Sequence, residues 1–208
     1  MMAPMTEATH TQAFWEDFYR ERPVWSGKPN ALLVREVAAL PPGTALDLGC
    51  AEGADAVWLA QGGWRVTAAD VSPSALRRAA AHAAEAGVAV DWQCHDLSRT
   101  FPDGTFDLVC AQYLHTPVEV DGERSAILRR ASAAVAPGGV LLVIGHEKHE
   151  RHPEADLPTT GEVLAGLDLD PAEWRVELED VVERAVVDPD GRPGTRRDNV
   201  LRVRRTGP

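Results

Sequence analysis

Two kinds of segment that would place a protein in or across a membrane are missing from this 208-residue sequence. No run of about 18 consecutive apolar residues occurs, so we expect no membrane-spanning segment and no membrane partner. The N-terminal stretch MMAPMTEATH also lacks the apolar core of a secretory signal. These absences predict a cytoplasmic protein.

Cysteine is scarce, and basic residues are outnumbered by acidic ones. The three cysteines, Cys50, Cys94 and Cys110, have no close spacing, which indicates free thiols in a reducing compartment. The formal net charge is -11, and such a charge disfavours nucleic acid as a partner because it repels the phosphate backbone. The excess of acid also suits a site for a cationic ligand, and it indicates no particular oligomeric state.

Apolar strands and helices alternate from residue 44 to residue 145. This alternation is typical of a doubly wound, Rossmann-like α/β fold, in which helices cover both faces of a parallel sheet. The helices between the strands begin and end at turn residues, for example at the Ser72-Pro73 start of one helix. The predicted strands are 45–48, 64–69, 88–94, 106–111 and 140–145.

The two ends of the chain differ from this alternating region. At the C-terminal end, strands 174–187 and 199–204, joined by a polar loop, predict an antiparallel hairpin that completes a seven-stranded, mostly parallel sheet. At the N-terminal end, residues 1–10 are expected to be disordered. One domain is predicted over 11–208, and its first segment, 11–30, combines a helical aromatic stripe with a loop rich in proline and glycine.

A glycine-rich turn follows the first strand of the alternating region, in the stretch ALDLGCAEG. Gly49 and Gly53 let the backbone approach a ligand closely, and the next helix presents its N-terminus there. Asp70 ends the second strand, where a carboxylate can accept both hydroxyls of a ribose. Gly49 alone would suit a simple tight turn as well, but the ordered combination predicts a nucleoside site at the carboxyl ends of the strands.

The spacing within this turn narrows the choice of ligand. A nicotinamide site normally reads G-x-G-x-x-G, and a phosphate-binding P-loop requires Gly-Lys-Ser/Thr; neither pattern occurs at this turn. Asp47, which precedes Gly49 by two residues, would repel a pyrophosphate. It would attract an aminoacyl group that carries an ammonium and a sulfonium.

The ordered motifs resemble those of the class I S-adenosylmethionine-dependent methyltransferases. LDLGCAEG stands at the acid-x-Gly-x-Gly-x-Gly turn of that family, and AADVSPSAL matches its acidic second-strand end. HDLS, FDLVCAQYLH and LRRASAAVAPGGVLLVIGH match the third-strand end, the fourth strand, and the helix with the fifth strand. The front section WEDFYRERPVWSGKPN resembles the small-molecule branch that includes tellurite-resistance and thiopurine methyltransferases. In that branch the N-terminal segment folds over the cofactor as a lid.

This resemblance implies S-adenosyl-L-methionine as the cofactor and assigns residues to it. Asp47 and the backbone of Gly49, Cys50 and Ala51 would hold the methionine portion, and Gly53 would let the following helix pack closely. The other implied contacts are Asp70 with the ribose, Val71, Ser72, Asp96 and Leu97 with the adenine, Ala111 and Gln112 near the methionine portion and the reacting methyl, and Trp25 and Gly27 in the lid.

Two of these positions carry open alternatives. Ala51 replaces the middle glycine of the family turn; alanine is tolerable there with a negative φ, whereas a positive φ would require the turn to shift. Trp25 would either place its ring against the sulfonium, a favourable cation–π arrangement, or simply pack within the loop.

Candidates for the methyl-acceptor site come from the ends of the fourth and fifth strands. His115 and His146 are predicted to face the ligand edge, where either could deprotonate or orient the acceptor, or else bond only to nearby backbone. Tyr113 would line the acceptor pocket or merely pack. His149 and His152 continue a three-residue spacing from His146, but H-E-K-H is not the zinc-protease spacing, so no metal site is expected.

These observations predict an S-adenosylmethionine-dependent methyltransferase that acts on a small-molecule acceptor. The cofactor carries the difficult chemistry, and the protein supplies orientation and excludes water. One alternative is a nicotinamide-dependent oxidoreductase, which Asp47 and the glycine spacing disfavour. The other is a non-catalytic protein that binds S-adenosylmethionine without turning it over.

Overall fold

The computed structural model describes residues 9–21, 23, 26–147, 157–187 and 193–207. The helices are α1 (His10–Glu21), α2 (Ala31–Val37), α3 (Ala54–Gln61), α4 (Pro73–Glu85), α5 (Glu123–Ala133) and α6 (Thr160–Leu167). The strands are β1 (Thr44–Leu48), β2 (Arg65–Asp70), β3 (Asp91–Cys94), β4 (Phe106–Gln112), β5 (Val135–His146), β6 (Trp174–Val187) and β7 (Pro193–Arg205).

The seven strands form one sheet in the order β3-β2-β1-β4-β5-β7-β6. Strands β1 to β5 pair in parallel, while β7 runs antiparallel to both β5 and β6. The predicted fold class is therefore confirmed. The strand order changes direction between β1 and β4, and in doubly wound sheets a ligand cleft forms at that point.

Helices cover both faces of the sheet because its central strands are apolar on both sides. Leu142 of β5 belongs to one core cluster with Leu33 of α2 and Leu59 of α3. Its neighbour Leu141 belongs to the opposite cluster with Leu128 of α5. Successive strand residues point to opposite faces, so this continuous apolar run fills both cores.

Side-chain caps decide where several helices begin. Ser72 accepts a hydrogen bond from the amide of Ala75, and Pro73 opens α4, which confirms the predicted start of this helix. Helix α1 begins at His10, inside the stretch expected to be disordered, and the Thr9 hydroxyl accepts from the amide of Gln12 at 3.1 Å. Residues 1–8 of that stretch lie outside the described part of the chain.

Two strands are longer than the sequence predicts. β5 starts at Val135 rather than at residue 140, because its first residue already pairs with Phe106 of β4. β7 starts at Pro193, within the predicted loop, because β6 pairs with it along its length as far as Val187. Within the described ranges, no helix combines the length and the apolar character needed to cross a bilayer.

Candidate active site

The turn between β1 and α3 lies at the carboxyl edge of the sheet and has a left-handed backbone at both glycines, with φ of 72° at Gly49 and 85° at Gly53. A Cβ atom at Gly53 would lie 2.6 Å from Cη2 of Trp92 and 2.9 Å from Cβ of Ala79. Only glycine therefore allows α3 to start this close to β3 and α4.

Ala51 also has a left-handed backbone, with φ of 50°. An alanine in this conformation carries a steric cost of about 1 kcal/mol, because its Cβ crowds the backbone. The amide of Ala51 donates to Oδ2 of Asp70 at 2.9 Å, which fixes the strained turn in place. The sequence predicts that a positive φ at this alanine requires the turn to shift from its form in the family; the positive φ is present, and the hydrogen bond to Asp70 holds the turn in this form.

Asp70 connects the glycine turn after β1 to the turn that follows β2. Its side chain is 7% exposed, its Oδ2 accepts from Ala51, and its Oδ1 accepts from the amide of Ser72 at 2.9 Å. Burial raises the pKa of this carboxyl, although hydrogen bonds from the Ser72, Ala51 and Val71 backbone oppose the shift. Each carboxylate oxygen has two lone pairs, so Asp70 retains acceptor capacity for two ribose hydroxyls.

Asp47 supplies a buried carboxylate beside this turn. Its residue is 1% exposed, its Oδ1 lies 3.7 Å from the Cys110 thiol, and its Oδ2 has no hydrogen-bond partner among the described residues. Burial raises its pKa well above the usual range, and the nearby charges of Asp55 and Asp70 raise it further. A buried carboxylate with an unused oxygen fits a cationic group such as the ammonium of a methionine portion.

Asp55 is a second acid close to Asp47, and the sequence did not single it out. Its Oδ1 accepts from the amide of Asn30 at 2.6 Å and so connects α3 to the segment that leads into α2. Burial also raises the pKa of Asp55. Its position in the first turn of α3 was visible in the sequence, but its proximity to Asp47 depends on the folded turn.

A cleft of about 760 Å³, here called the α1 cleft, is lined from α1 by Trp15 and Tyr19. The predicted cofactor residues that line the α1 cleft are Gly49, Asp70, Val71, Asp96 and Leu97.

A second cleft of about 1230 Å³, here called the α2 cleft, lies between the glycine turn and the residues that lead into α2. Gly49 and Tyr113 line both clefts, so the clefts meet where β1 and β4 end, which is the point where the strand order changes direction. The predicted cofactor residues that line the α2 cleft are Asp47, Gly49, Cys50, Ala51, Gly53 and Gln112.

Helix α1 is attached to α4 through Glu16. Its carboxylate accepts from the Ser72 hydroxyl at 2.7 Å and from the Ser74 amide and hydroxyl at 2.9 and 2.5 Å. Although burial raises the pKa of Glu16, these serine hydrogen bonds bring it below its ordinary value. Ser72, implied by resemblance beside the adenine, is fully buried in this contact and caps α4.

Tyr113, His115 and His146, all predicted at strand ends, lie together. The rings of Tyr113 and His146 stack with centroids 4.2 Å apart, and His115 meets His146 edge-on at 5.6 Å. Burial lowers the pKa of His115, and the neighbouring His146 and Arg124 lower it further. Tyr113, directly after β4, has a left-handed backbone with φ of 52°.

A third cavity, here called the histidine chamber, lies between the ends of β4 and β5 and the segment before α6. His146 lines this chamber, and Leu114, His115 and Arg124 line both the chamber and the α1 cleft. Much of its wall is apolar and comes from Leu128, Val143, Ile144, Leu157, Val163 and Leu201.

Asp198 completes the histidine cluster and was missed in the sequence. It lies in β7 directly opposite His146 of β5, its residue is 0% exposed, and its Oδ1 lies 2.8 Å from Nδ1 of His146. Its Oδ2 accepts from the Tyr113 hydroxyl at 3.1 Å and from Nε of Arg184. The sequence offered no local signal for this contact, because Asp198 adjoined the predicted loop.

The remaining predicted residues are placed differently. Ala111 is fully buried in the core, and Gly27 is exposed, with φ of 69°. Trp25, His149 and His152 lie outside the described residues, so their predicted roles stay predictions. Within the described ranges, no group of three or more His, Cys, Asp or Glu side chains is arranged to hold a metal ion.

Fold and site together define a Rossmann-like α/β protein whose glycine turn lies beside the buried carboxylate of Asp47. The methyltransferase-domain family matches residues 45–139. The chain is 33% identical over 169 residues to the 2-heptyl-1-hydroxyquinolin-4(1H)-one methyltransferase of Mycobacteroides abscessus, covering 74% of this chain and 72% of that protein. The chain therefore belongs to the S-adenosylmethionine-dependent methyltransferase family, as its motifs predict.

Two further proteins show the extent of the similarity. The ubiquinone biosynthesis O-methyltransferase of Methylobacterium sp. (strain 4-46) is 41% identical over 100 residues, which cover 48% of this chain and only 39% of that protein. The N-methyltransferase NodS from Bradyrhizobium japonicum WM9, solved in complex with S-adenosyl-L-homocysteine, shares the fold with a TM-score of 0.73 at 19% identity. That superposition covers 96% of this chain and 100% of NodS.

Proposed function

We propose that the protein transfers the methyl group of S-adenosyl-L-methionine to a hydroxyl group of a small, apolar acceptor. The observation that carries this proposal is the position of Tyr113, which lines both clefts and stacks on His146 of the histidine chamber. Cofactor and acceptor would therefore meet at the end of β4. Names of relatives support a hydroxyl acceptor, since the Methylobacterium protein is an O-methyltransferase.

The residues of the two clefts would hold the cofactor in two parts. Asp70, Val71 and Asp96 of the α1 cleft would bind the adenosine, and the buried Asp47 with the half-buried Asp55 would bind the methionine ammonium. When bound, S-adenosyl-L-methionine supplies a methyl group on a sulfonium, which is already activated toward nucleophiles. The protein then has to orient the acceptor, exclude water and accept a proton.

Histidines near the acceptor are the candidates for that proton transfer. His115 and His146 both line the histidine chamber, and the lowered pKa of His115 favours its neutral imidazole. The apolar wall suits an aromatic or aliphatic acceptor, because transfer of apolar surface out of water stabilises the complex. Nucleic acid is not proposed as an acceptor, in view of the acidic net charge of -11.

We also propose that the reaction takes place in the cytoplasm. Cys50, Cys94 and Cys110 are all free thiols, and thiols that remain unpaired are usual in a reducing compartment.

Calorimetry with S-adenosylhomocysteine and with NAD tests the cofactor assignment. We expect S-adenosylhomocysteine to bind and NAD not to bind, and Asp70→Ala to weaken binding by about 2–3 kcal/mol, since two hydrogen bonds to a buried carboxylate are lost. Asp91→Ala, an exposed aspartate on β3, is the matched control and should leave the affinity unchanged.

Each of the other outcomes has a definite meaning. Unchanged affinity in a folded Asp70→Ala variant would remove Asp70 from the cofactor site. NAD binding without S-adenosylhomocysteine binding would support an oxidoreductase. Cofactor binding without methylation of any hydroxylated acceptor would support a non-catalytic binding protein.

A further inference from the structure

Asp198 is a buried charged residue in contact with the histidine cluster. Its residue is 0% exposed, and its carboxylate contacts His146, Tyr113 and Arg184. The guanidinium of Arg184 balances its charge, so this burial does not leave an isolated anion. Antiparallel pairing of β5 with β7 sets the position, because His146 and Asp198 are direct partners in the register.

The contact with His146 determines which ring nitrogen can accept a proton. An ionised carboxylate has only acceptors, so the 2.8 Å contact between Oδ1 and Nδ1 requires a hydrogen on Nδ1. Although burial raises the pKa of Asp198, hydrogen bonds from His146 and Arg184 bring it below its usual value, which keeps the group ionised. In neutral imidazole a protonated Nδ1 leaves Nε2 as the basic nitrogen.

Tyr113 restrains the same ring in a second direction. Its ring stacks on that of His146 with an interplanar angle of 29°, while its hydroxyl donates to Asp198. The imidazole is therefore held at one edge by a carboxylate and on one face by an aromatic ring. The side chain of His146 is 26% exposed and lines the histidine chamber.

We propose that Asp198 is a positioning residue that holds His146 in the Nδ1–H tautomer, so that Nε2 of His146 takes the proton from the acceptor's hydroxyl group. This inference rests on the proposed function and specifies its substrate class, namely apolar compounds whose hydroxyl group is protonated at neutral pH. The hydroxyl oxygen bonds to the methyl carbon while the electron pair of the carbon–sulfur bond stays on sulfur. The proton moves to Nε2 and is then released to water.

The charged and titratable groups around His146 are consistent with this assignment. Asp198 contacts it from β7 and is itself paired with Arg184 of β6, and Tyr113 and His115 contact it from the end of β4. Burial lowers the pKa of His115 and Arg124 of α5 lowers it further, so the histidine beside His146 is favoured in its neutral form. The imidazolium formed by proton transfer would thus lie against one carboxylate that is already paired to a guanidinium.

Nitrogen-15 NMR of histidine-labelled protein tests the tautomer directly and needs no acceptor. We expect His146 in the wild type at about pH 8 to carry its proton on Nδ1, and Asp198→Asn to shift the population toward Nε2–H. Asp180→Asn, an exposed aspartate on β6, is the matched control and should leave the spectrum of His146 unchanged. If Asp198→Asn does not fold, the wild-type spectrum alone decides, because an Nε2–H tautomer there would overturn the proposal.

Turnover tests the proton transfer, with phenol, 4-nitrophenol and 2-heptyl-1-hydroxyquinolin-4(1H)-one as probes. Asp198→Asn should lower methylation of phenol by about 10²-fold. At about pH 9 it should change methylation of 4-nitrophenol, which is then ionised, by less than about threefold. Equal loss on both phenols would overturn the role in proton transfer, and a wild type that methylates none of the probes would overturn the substrate class.

Binding of S-adenosylhomocysteine separates this inference from the proposed function. His146→Ala and His115→Ala should leave that affinity within about threefold, since neither side chain is assigned to the cofactor. Failure of the wild type to bind would overturn the proposed function. Normal binding together with an unchanged His146 tautomer in Asp198→Asn would overturn only the positioning role.

Discussion

Two non-glycine residues at the site have a left-handed backbone conformation, which steric crowding disfavours. Ala51 has φ of 50° and Tyr113 has φ of 52°, and both lie at carboxyl ends of central strands. Each is fixed by a hydrogen bond to a buried carboxylate, from the Ala51 amide to Asp70 and from the Tyr113 hydroxyl to Asp198. Both strained residues therefore line the α2 cleft, and backbone strain of this kind is common at ligand sites.

Replacing Ala51 with glycine should stabilise the protein. Glycine adopts a left-handed φ without steric cost, so we expect Ala51→Gly to raise the free energy of unfolding by about 0.5–1 kcal/mol, after the loss of chain entropy is deducted. Urea denaturation measures this change. Ala84→Gly, at an exposed position in α4, is the control and should be destabilising by about 1 kcal/mol. A loss of stability in Ala51→Gly would show that the left-handed backbone is not strained.

Asp47 should contribute to cofactor binding at the expense of stability. Because its folded-state pKa is raised, the folded protein binds this proton more tightly than the unfolded chain, so the ionised residue destabilises the fold as pH rises above the unfolded value of about 3.9. We expect Asp47→Asn to raise the free energy of unfolding by about 1 kcal/mol at neutral pH. Below pH values of about 3.9, where the carboxyl is protonated in both states, the substitution should have little effect. The same variant should bind S-adenosylhomocysteine about tenfold more weakly, because the ammonium loses its counter-charge.

Thermal melts across pH and calorimetry provide the two readouts for Asp47→Asn. Asp107→Asn is the comparison variant, since that exposed aspartate accepts from Thr44 and has a pKa below its usual value. It should instead destabilise the protein at neutral pH. An Asp47→Asn variant that is both less stable and normal in affinity would contradict the assignment of this acid.

At the scale of elements, the main question is how α1 covers the α1 cleft. The helix is held to the N-terminus of α4 by Glu16, which accepts from the Ser74 amide, and the carboxylate interacts favourably with the helix dipole there. Trp15 and Tyr19 of the same helix line the cleft. We therefore propose that the segment 11–30 acts as a lid that closes over the bound cofactor.

Hydrogen exchange tests this lid. We expect amides of α1 to exchange more slowly when S-adenosylhomocysteine is bound, because the ligand adds contacts to the cleft-facing side of the helix. Glu16→Ala should speed the exchange of α1 about tenfold or more in the free protein, while Asp17→Ala, on the exposed side of the same helix, should not. Equal exchange in free and bound states would exclude segment 11–30 as a lid.

At the scale of the whole molecule, the proposed cofactor site belongs to an acidic protein. The net charge is -11, and the α2 cleft is lined by the buried Asp47 and the half-buried Asp55. Such a field attracts S-adenosylmethionine, whose sulfonium adds a positive charge that S-adenosylhomocysteine lacks. The two ligands differ only by the methyl group and its positive charge, so they form a matched pair for measuring this effect.

Salt should separate these two ligands. Added salt screens long-range attraction, so a rise from low to high ionic strength should weaken binding of S-adenosylmethionine by about twofold to fivefold. Binding of the neutral product should change by less than about twofold. Calorimetry at two salt concentrations measures both, and identical salt dependence would mean that the field of the protein does not reach the sulfonium.

The sequence by itself determined the layered fold and the candidate residues for the cofactor. Strand and helix periodicity, the Ser72-Pro73 cap and the glycine turn each depend on residues a few positions apart, so they can be recognised without long-range contacts. The positions of Asp47 and Asp70 at strand ends follow from the parallel sheet, because all its carboxyl ends share one edge.

Only the tertiary structure decided which polar groups face each other across the cleft. Asp198 reaches His146 because β7 pairs with β5 in one register, and a shift by one residue would turn its carboxylate to the other face of the sheet. Glu16 reaches Ser72 from a helix far away in the chain, and no local pattern links the two. Contacts of this kind depend on how whole helices and strands pack, and local sequence patterns do not specify that packing.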